Sequence, residues 1–120
     1  MTAVLALGTG ACAVETITPN TPKAVDQLAI APYEVHEECT QLVPGDRLDY
    51  RFEAQRPVAF QIYYKDGLMF IAPVSREDVT ESSGIFNAPN ERRYCLRWES
   101  GREGAIIDYR VRVLRSASPR

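Results

Sequence analysis

From Leu48 onward the chain alternates apolar and polar residues with a period of two, a pattern that an α-helix cannot use. Leu48, Tyr50, Phe52 and Ala54 take the even positions, while Asp49, Arg51, Glu53 and Gln55 take the odd ones. Such a segment is a strand with one face in a core and the other in water. Pro57 is expected to end this strand and start another, in which Val58, Phe60, Ile62 and Tyr64 keep the same parity up to Asp66-Gly67. Asp-Gly between alternating segments is a strong hairpin signal. With Asp66 and Gly67 as the turn, Tyr64 faces Met69 and Ile62 faces Ile71 on the core side, while Tyr63 meets Phe70 and Lys65 meets Leu68 on the outside.

The same periodicity returns twice near the C-terminus. Tyr94, Leu96 and Trp98 alternate with Arg93, Cys95 and Arg97, and Ile107, Tyr109, Val111 and Val113 alternate after a turn around Gly101 to Gly104. Pro44-Gly45-Asp46 marks a turn before the first clear strand, and Gly84 opens a short strand through Ile85 and Phe86. The polar stretch Ser75 to Ser83 breaks the alternation and reads as a mobile connection. No segment has the period of an amphipathic helix, and 120 residues suffice for one hydrophobic core. The expectation is an all-β, antiparallel β-sandwich of about six to eight short strands, closed by one disulfide.

The cysteines carry the disulfide expectation. Val4 to Ala11 is a short apolar and small-residue run ending at Cys12, too short to cross a bilayer and suited to the end of a secretory signal. Gly10-Ala11-Cys12 resembles a bacterial lipobox, with Cys12 as the lipid-accepting residue, although Thr9 stands where leucine is usual. Ala11-Cys12-Ala13 also fits a small-x-small cleavage site. Either route leaves Cys39 and Cys95 as an even pair, as an oxidising compartment favours; unrelated free thiols are the alternative. Residues 1–13 are thus read as a signal remnant, 14–32 as a tether and lead-in strand, 33–114 as the sandwich and 115–120 as a tail.

Net charge is −2, divided unevenly: residues 1–91 carry 6 basic and 13 acidic side chains, and residues 92–120 carry 8 and 3. The basic end does not point to nucleic acid, because Arg97, Arg110 and Arg112 alternate with apolar residues and have Glu99 and Asp108 among them, as on a solvated, charge-paired strand face.

Chemistry-bearing patterns are sparse. His36 is the only histidine, and none of Ser75, Ser82, Ser83 or Ser100 lies in a nucleophile elbow. His36-Glu37-Glu38 reads as solvated edge charge, and Asp49 and Glu53 as ion-paired with Arg51. No metal-ligand spacing or phosphate loop is present, so no catalytic residue, metal or cofactor is expected. The hairpin register leaves one candidate surface: Tyr63, Lys65, Leu68 and Phe70 share an outer face where other strands show charges. That patch is either an interface for a protein partner, with Ser75 to Ser83 as its rim, or is covered by the N-terminal lead-in.

The order of these features resembles the Golgi-dynamics (GOLD) domain. A cysteine precedes PGDRLDYRFEA, followed by VAFQIYYKDG, SGIFNA, RRYCLRWES and IIDYRVRVL. The resemblance spans roughly Tyr33 to Leu114, and its most specific part is the aromatic-Cys-Leu-x-Trp strand. It implies a β-sandwich bridged by Cys39 and Cys95 that makes protein contacts and does not catalyse. The coiled coil and membrane span of cargo receptors have no counterpart in these 120 residues. The expected function is a non-catalytic exported binding or assembly module of the cell envelope. It would be periplasmic, secreted or anchored by lipid at Cys12, with a protein partner and no nucleic acid, and would touch a membrane only through that anchor. The alternative is an envelope hydrolase or accessory enzyme.

Overall fold

The computed structural model describes residues 20–116, and six strands account for most of them: β1 (Lys23–Ile30), β2 (Val35–Leu42), β3 (Arg47–Asp66), β4 (Met69–Asn87), β5 (Arg92–Ser100) and β6 (Ala105–Leu114). All pairings are antiparallel, in the order β1-β6-β3-β5-β2, with β4 along the remaining edge of β3. No helix occurs among the described residues. Cys12 and the signal-like run lie outside them.

Strand β3 organises the molecule because its one free edge serves two partners in turn. Residues 47–54 pair with β6, and residues 58–63 pair with β5. The ladder breaks between Glu53 and Val58, where Pro57 has no N–H to donate and the chain bends. Strand β4 follows β3 through the break, so Pro57 interrupts a strand without ending it.

One hydrogen-bonded sheet therefore folds over on itself, and its two halves face each other. Trp98 of β5 stacks on Tyr109 of β6 at 4.5 Å, and Phe52 lies 4.8 Å from Phe60 across the bend. Lys23 of β1 reaches Glu38 of β2 at 2.8 Å, although these strands end opposite sides of the strand order. This is the sandwich that the alternation predicts. Its inward positions are Leu48, Tyr50, Phe52, Val58, Phe60, Ile62, Tyr94, Leu96, Trp98, Ile107, Tyr109, Val111 and Val113, all buried.

Three local expectations need correction. Ser75 to Ser83 is not a connection but part of β4, and two strands are long, at 20 and 19 residues. Its polarity is that of an edge: Pro73, Arg76, Glu77 and Asp78, the last at φ 58°, are the devices that keep an exposed edge from pairing with other chains. The hairpin turn is centred on Gly67-Leu68, because Asp66 pairs with Met69. A turn centred on Asp66-Gly67 would need a positive φ at both residues, whereas only Gly67 has one, at 62°, the arrangement of a turn with glycine first. Lys65 therefore faces Phe70, Tyr64 faces Ile71 and Ile62 faces Val74. Finally, the expected lead-in strand is present as β1 but belongs to the sandwich itself, which therefore begins before Tyr33: it pairs with β6 and buries Ile30 in the core.

Cys39 and Cys95 stand directly opposite each other on β2 and β5 and form the expected disulfide, with S–S 2.06 Å and Cα atoms 4.0 Å apart. The bridge lies on the outer face of its half of the sandwich, beneath Tyr63 and Ala72. Closing a loop across 56 positions constrains the unfolded chain by about 4 kcal/mol in the chain-entropy account. We expect the Cys39→Ala/Cys95→Ala variant to lose most of that amount in denaturant unfolding. Non-reducing peptide mapping of the parent protein should recover the two cysteine peptides linked.

Candidate functional site

The turn between β3 and β4 is an apolar tip. Leu68 is fully exposed, Met69 is 64% exposed and Phe70 is 49% exposed. Three adjacent residues of this kind at the end of a hairpin contribute little to any core.

Beneath the tip the structure is firmly built. The Phe70 ring stacks on Tyr63 at 4.3 Å and 18°. Tyr63 is only 7% exposed and packs with Cys39, Cys95 and Ala72. Its hydroxyl donates to Glu37 Oε2 at 2.5 Å, and Arg97 Nε lies 3.8 Å from the same oxygen. Burial, then the Glu37 hydrogen bond and charge, push the phenol up to about 12, so it remains a donor at neutral pH. Lys65 and Arg93 stand exposed beside the stacked rings, and among the described residues neither takes an ion pair.

Of the residues assigned to this patch, Leu68, Phe70 and Lys65 form the exposed tip and its border. Tyr63 is a buried support under Phe70, because an in-register neighbour, Cys95, and the disulfide fill the space around it. Ser75 to Ser83 runs along β4 toward the bend, pairing with residues as far back as Arg51, and does not rim the tip.

A second constellation, unforeseen as such, lies between the two halves of the sandwich. Glu38, read from sequence as solvated edge charge, is completely buried. His36 and Glu38 are two positions apart and so share the inner face of β2, where Glu38 Oε2 receives Lys23 Nζ at 2.8 Å and the Tyr109 hydroxyl. His36 Nε2 lies 2.8 Å from that hydroxyl. Since the single phenolic proton goes to the carboxylate, His36 donates to Tyr109. Burial raises the Glu38 carboxyl, but the His36 ring, 3.7 Å from Oε2, and hydrogen bonds from Lys23 and Tyr109 outweigh it and hold the group below its usual range. The spacing His-x-Glu on an alternating strand was the available signal; the charge of Glu38 concealed it.

Asp46 is the other buried carboxylate. It accepts from the Val43 N–H at 3.0 Å, from Ser116 N–H at 2.8 Å and from Arg115 at 2.6 Å, tying the Pro44-Gly45 turn to the end of β6. Burial opposes its ionisation, and these bonds again hold it low. Glu37, Cys39 and Cys95 bring one carboxylate oxygen and two sulfurs together, but both sulfurs are spent in the disulfide and cannot act as thiolate ligands.

No family model matches the chain, and no curated protein sequence matches it. Solved structures do. The chain is similar to the pre-peptidase C-terminal domain of a collagenase from Bacillus anthracis, with a TM-score of 0.57 and 12% identity over 83% of this chain and 93% of that one. It is also similar to PliG of Aeromonas hydrophila, a periplasmic inhibitor of g-type lysozyme, with a TM-score of 0.59 and 10% identity over 83% and 96%. At these identities the likeness is one of fold.

The carboxylates set the acid response. Both have folded-state values below those of the unfolded chain, so their contribution is fully present above the ordinary carboxylate range near pH 4 and is lost as pH falls through the folded values. Thermal melts between pH 7 and pH 3 should show a steep loss of stability at the acid end. Glu38→Gln should cost about 3 kcal/mol at pH 7, by breaking the buried Lys23–Glu38 ion pair, and should flatten that acid slope.

Proposed function

We propose that the chain is an exported, non-catalytic module that binds a protein partner through the tip of the β3–β4 hairpin. The observation carrying this reading is Leu68, Met69 and Phe70 in succession, exposed, on a support locked by Tyr63 and the disulfide. Aromatic and methionine side chains with a cationic border suit the centre of an interface. A preorganised tip also loses little conformational freedom on docking.

Several features support it. The disulfide belongs in an oxidising compartment, and one protein of similar fold is a periplasmic lysozyme inhibitor while another is the C-terminal domain of a collagenase. The GOLD-like order of sequence features favours protein contact as well. Anchoring through lipid at Cys12 belongs to the same proposal. For the alternative, an enzyme, Glu38, Tyr109 and His36 supply the best constellation, but Glu38 and Tyr109 are sealed between the two halves of the sandwich, where Glu38 Oε2 is engaged by Tyr109 and Lys23.

The two aromatic positions separate docking from folding. Tyr63→Ser should lower the melting temperature, because it removes a buried ring, while Phe70→Ser and Leu68→Ser should leave it nearly unchanged. In the exporting host, a photoreactive residue at position 68 should give a discrete crosslinked species that Phe70→Ser abolishes, with none from the same probe at position 85. Purified g-type lysozyme is the first partner to test. Equal crosslinking from both positions, or none from either, would remove the tip as a docking site.

A further inference from the structure

On the outer face of the β1-β6-β3 half, charges are arranged in rows of like sign. Arg51 of β3 stands directly opposite Arg110 of β6, and two residues along, Glu53 stands opposite Asp108. Like charges opposite each other on neighbouring strands destabilise a sheet. One row further on, Asp49 and Arg112 follow the usual rule and pair at 3.7 Å. Diagonal pairing between the two rows is available, yet none of Arg51, Arg110, Glu53 and Asp108 is in an ion pair among the described residues.

These side chains line a cleft of about 220 Å³, together with Asp26, Phe52 and Tyr109. Strand β1 is bulged there: its register shifts between Val25 and Leu28, and Gln27 takes a φ of 56°. A positive φ at glutamine is uncommon, and bulges re-aim side chains beside sites. The bulge brings Asp26 to the cleft and points the Gln27 N–H at Asp108, which accepts it at 2.6 Å. The Asp108 carboxylate is thereby fixed in place by backbone.

We propose that this cleft binds a short peptide through its free termini. The arginine pair takes the carboxylate, which suits guanidinium donors, and Glu53 and Asp108, with Asp26, take the ammonium. Spacing selects the ligand. The two rows are two residues apart along their strands, about 6.7 Å. An extended dipeptide spans about 7 Å, so it can lie along the two rows with one terminus over each. At about 220 Å³, the cleft has room for a ligand of dipeptide size.

The test is an NMR titration of the full chain with alanyl-alanine, alongside its N-acetyl and C-amide forms, each of which keeps one charge. Saturable shifts at the amides of residues 26–27, 51–53 and 108–110, with either blocked form binding at least about tenfold more weakly, are expected. Arg51→Gln/Arg110→Gln should abolish the shifts without lowering the melting temperature, because both side chains are exposed, and Phe70→Ser should bind the dipeptide normally. Equal binding of the N-acetyl form would make this a simple anion site and overturn the proposal. So would equal binding of the C-amide form, or the absence of saturable shifts.

Discussion

The bend in β3 is the constraint on which the other contacts depend. A flat six-stranded sheet of this sequence would bury neither face completely, yet its even positions are apolar on both sides of Pro57. Because Pro57 removes a ladder hydrogen bond and the register slips between Glu53 and Val58, Phe52 and Phe60 can face one another at 4.8 Å across the bend. Only then do Trp98 and Tyr109, on strands that share no hydrogen bonds, come to stack at 4.5 Å. At about 25 cal/mol per Å² of apolar surface, such aromatic contacts dominate the stabilisation of a core this small. The long partner β4 keeps the bend from becoming a hinge, since it pairs with β3 on both sides of it.

Folding a sheet over leaves its two end strands close together on the side away from the bend, and polar groups close it there. Lys23 of β1 and Glu38 of β2 meet at 2.8 Å. Burying a lone carboxylate would cost several kcal/mol, so Glu38 persists only because Lys23 and Tyr109 donate to it and His36 donates to Tyr109. Among the described residues the second oxygen, Oε1, accepts no hydrogen bond, which lowers the worth of the network relative to an apolar closure. What the network supplies is registration: Lys23 can reach Glu38 only when β1 and β2 are aligned correctly across the core.

Much of this was legible. Parity along β3, β5 and β6 identified the core residues, because an alternating strand has only two faces and the apolar one must turn inward. Cysteine parity and the lack of metal spacing pointed to the Cys39–Cys95 bridge. Less legible were features that depend on three dimensions. Pro57 is a strand break in a one-dimensional reading, and nothing local shows that β4 will bridge it. Ser75 to Ser83 is polar because it lies on an edge, which sequence does not distinguish from a loop. Glu38 is charged and therefore reads as exposed until Lys23, fifteen positions earlier, is seen to arrive from the opposite half. At the tip the error was one residue, since Asp66-Gly67 and Gly67-Leu68 both place glycine in the turn and differ only in whether Asp66 must adopt a positive φ.

That one-residue difference also bears on why the tip is apolar. Folding makes a demand on Gly67, whose φ of 62° supplies the turn, and on Tyr63, which packs over the disulfide with Ala72. It makes almost none on Leu68: a fully exposed side chain at the second turn position buries no surface and satisfies no hydrogen bond, and turns ordinarily carry polar residues there. Phe70 gains something by stacking on Tyr63, yet half of it remains in water. Elsewhere the outer faces carry charged residues with a few exposed apolar ones, Ile85 among them, and the long edge of β4 carries Pro73, Arg76, Glu77 and Asp78 against unwanted pairing. A chain that guards its edge in this way, and leaves leucine, methionine and phenylalanine bare at the neighbouring hairpin end, has apolar surface there that its own fold does not require, and contact with something outside the chain is what that surface suits.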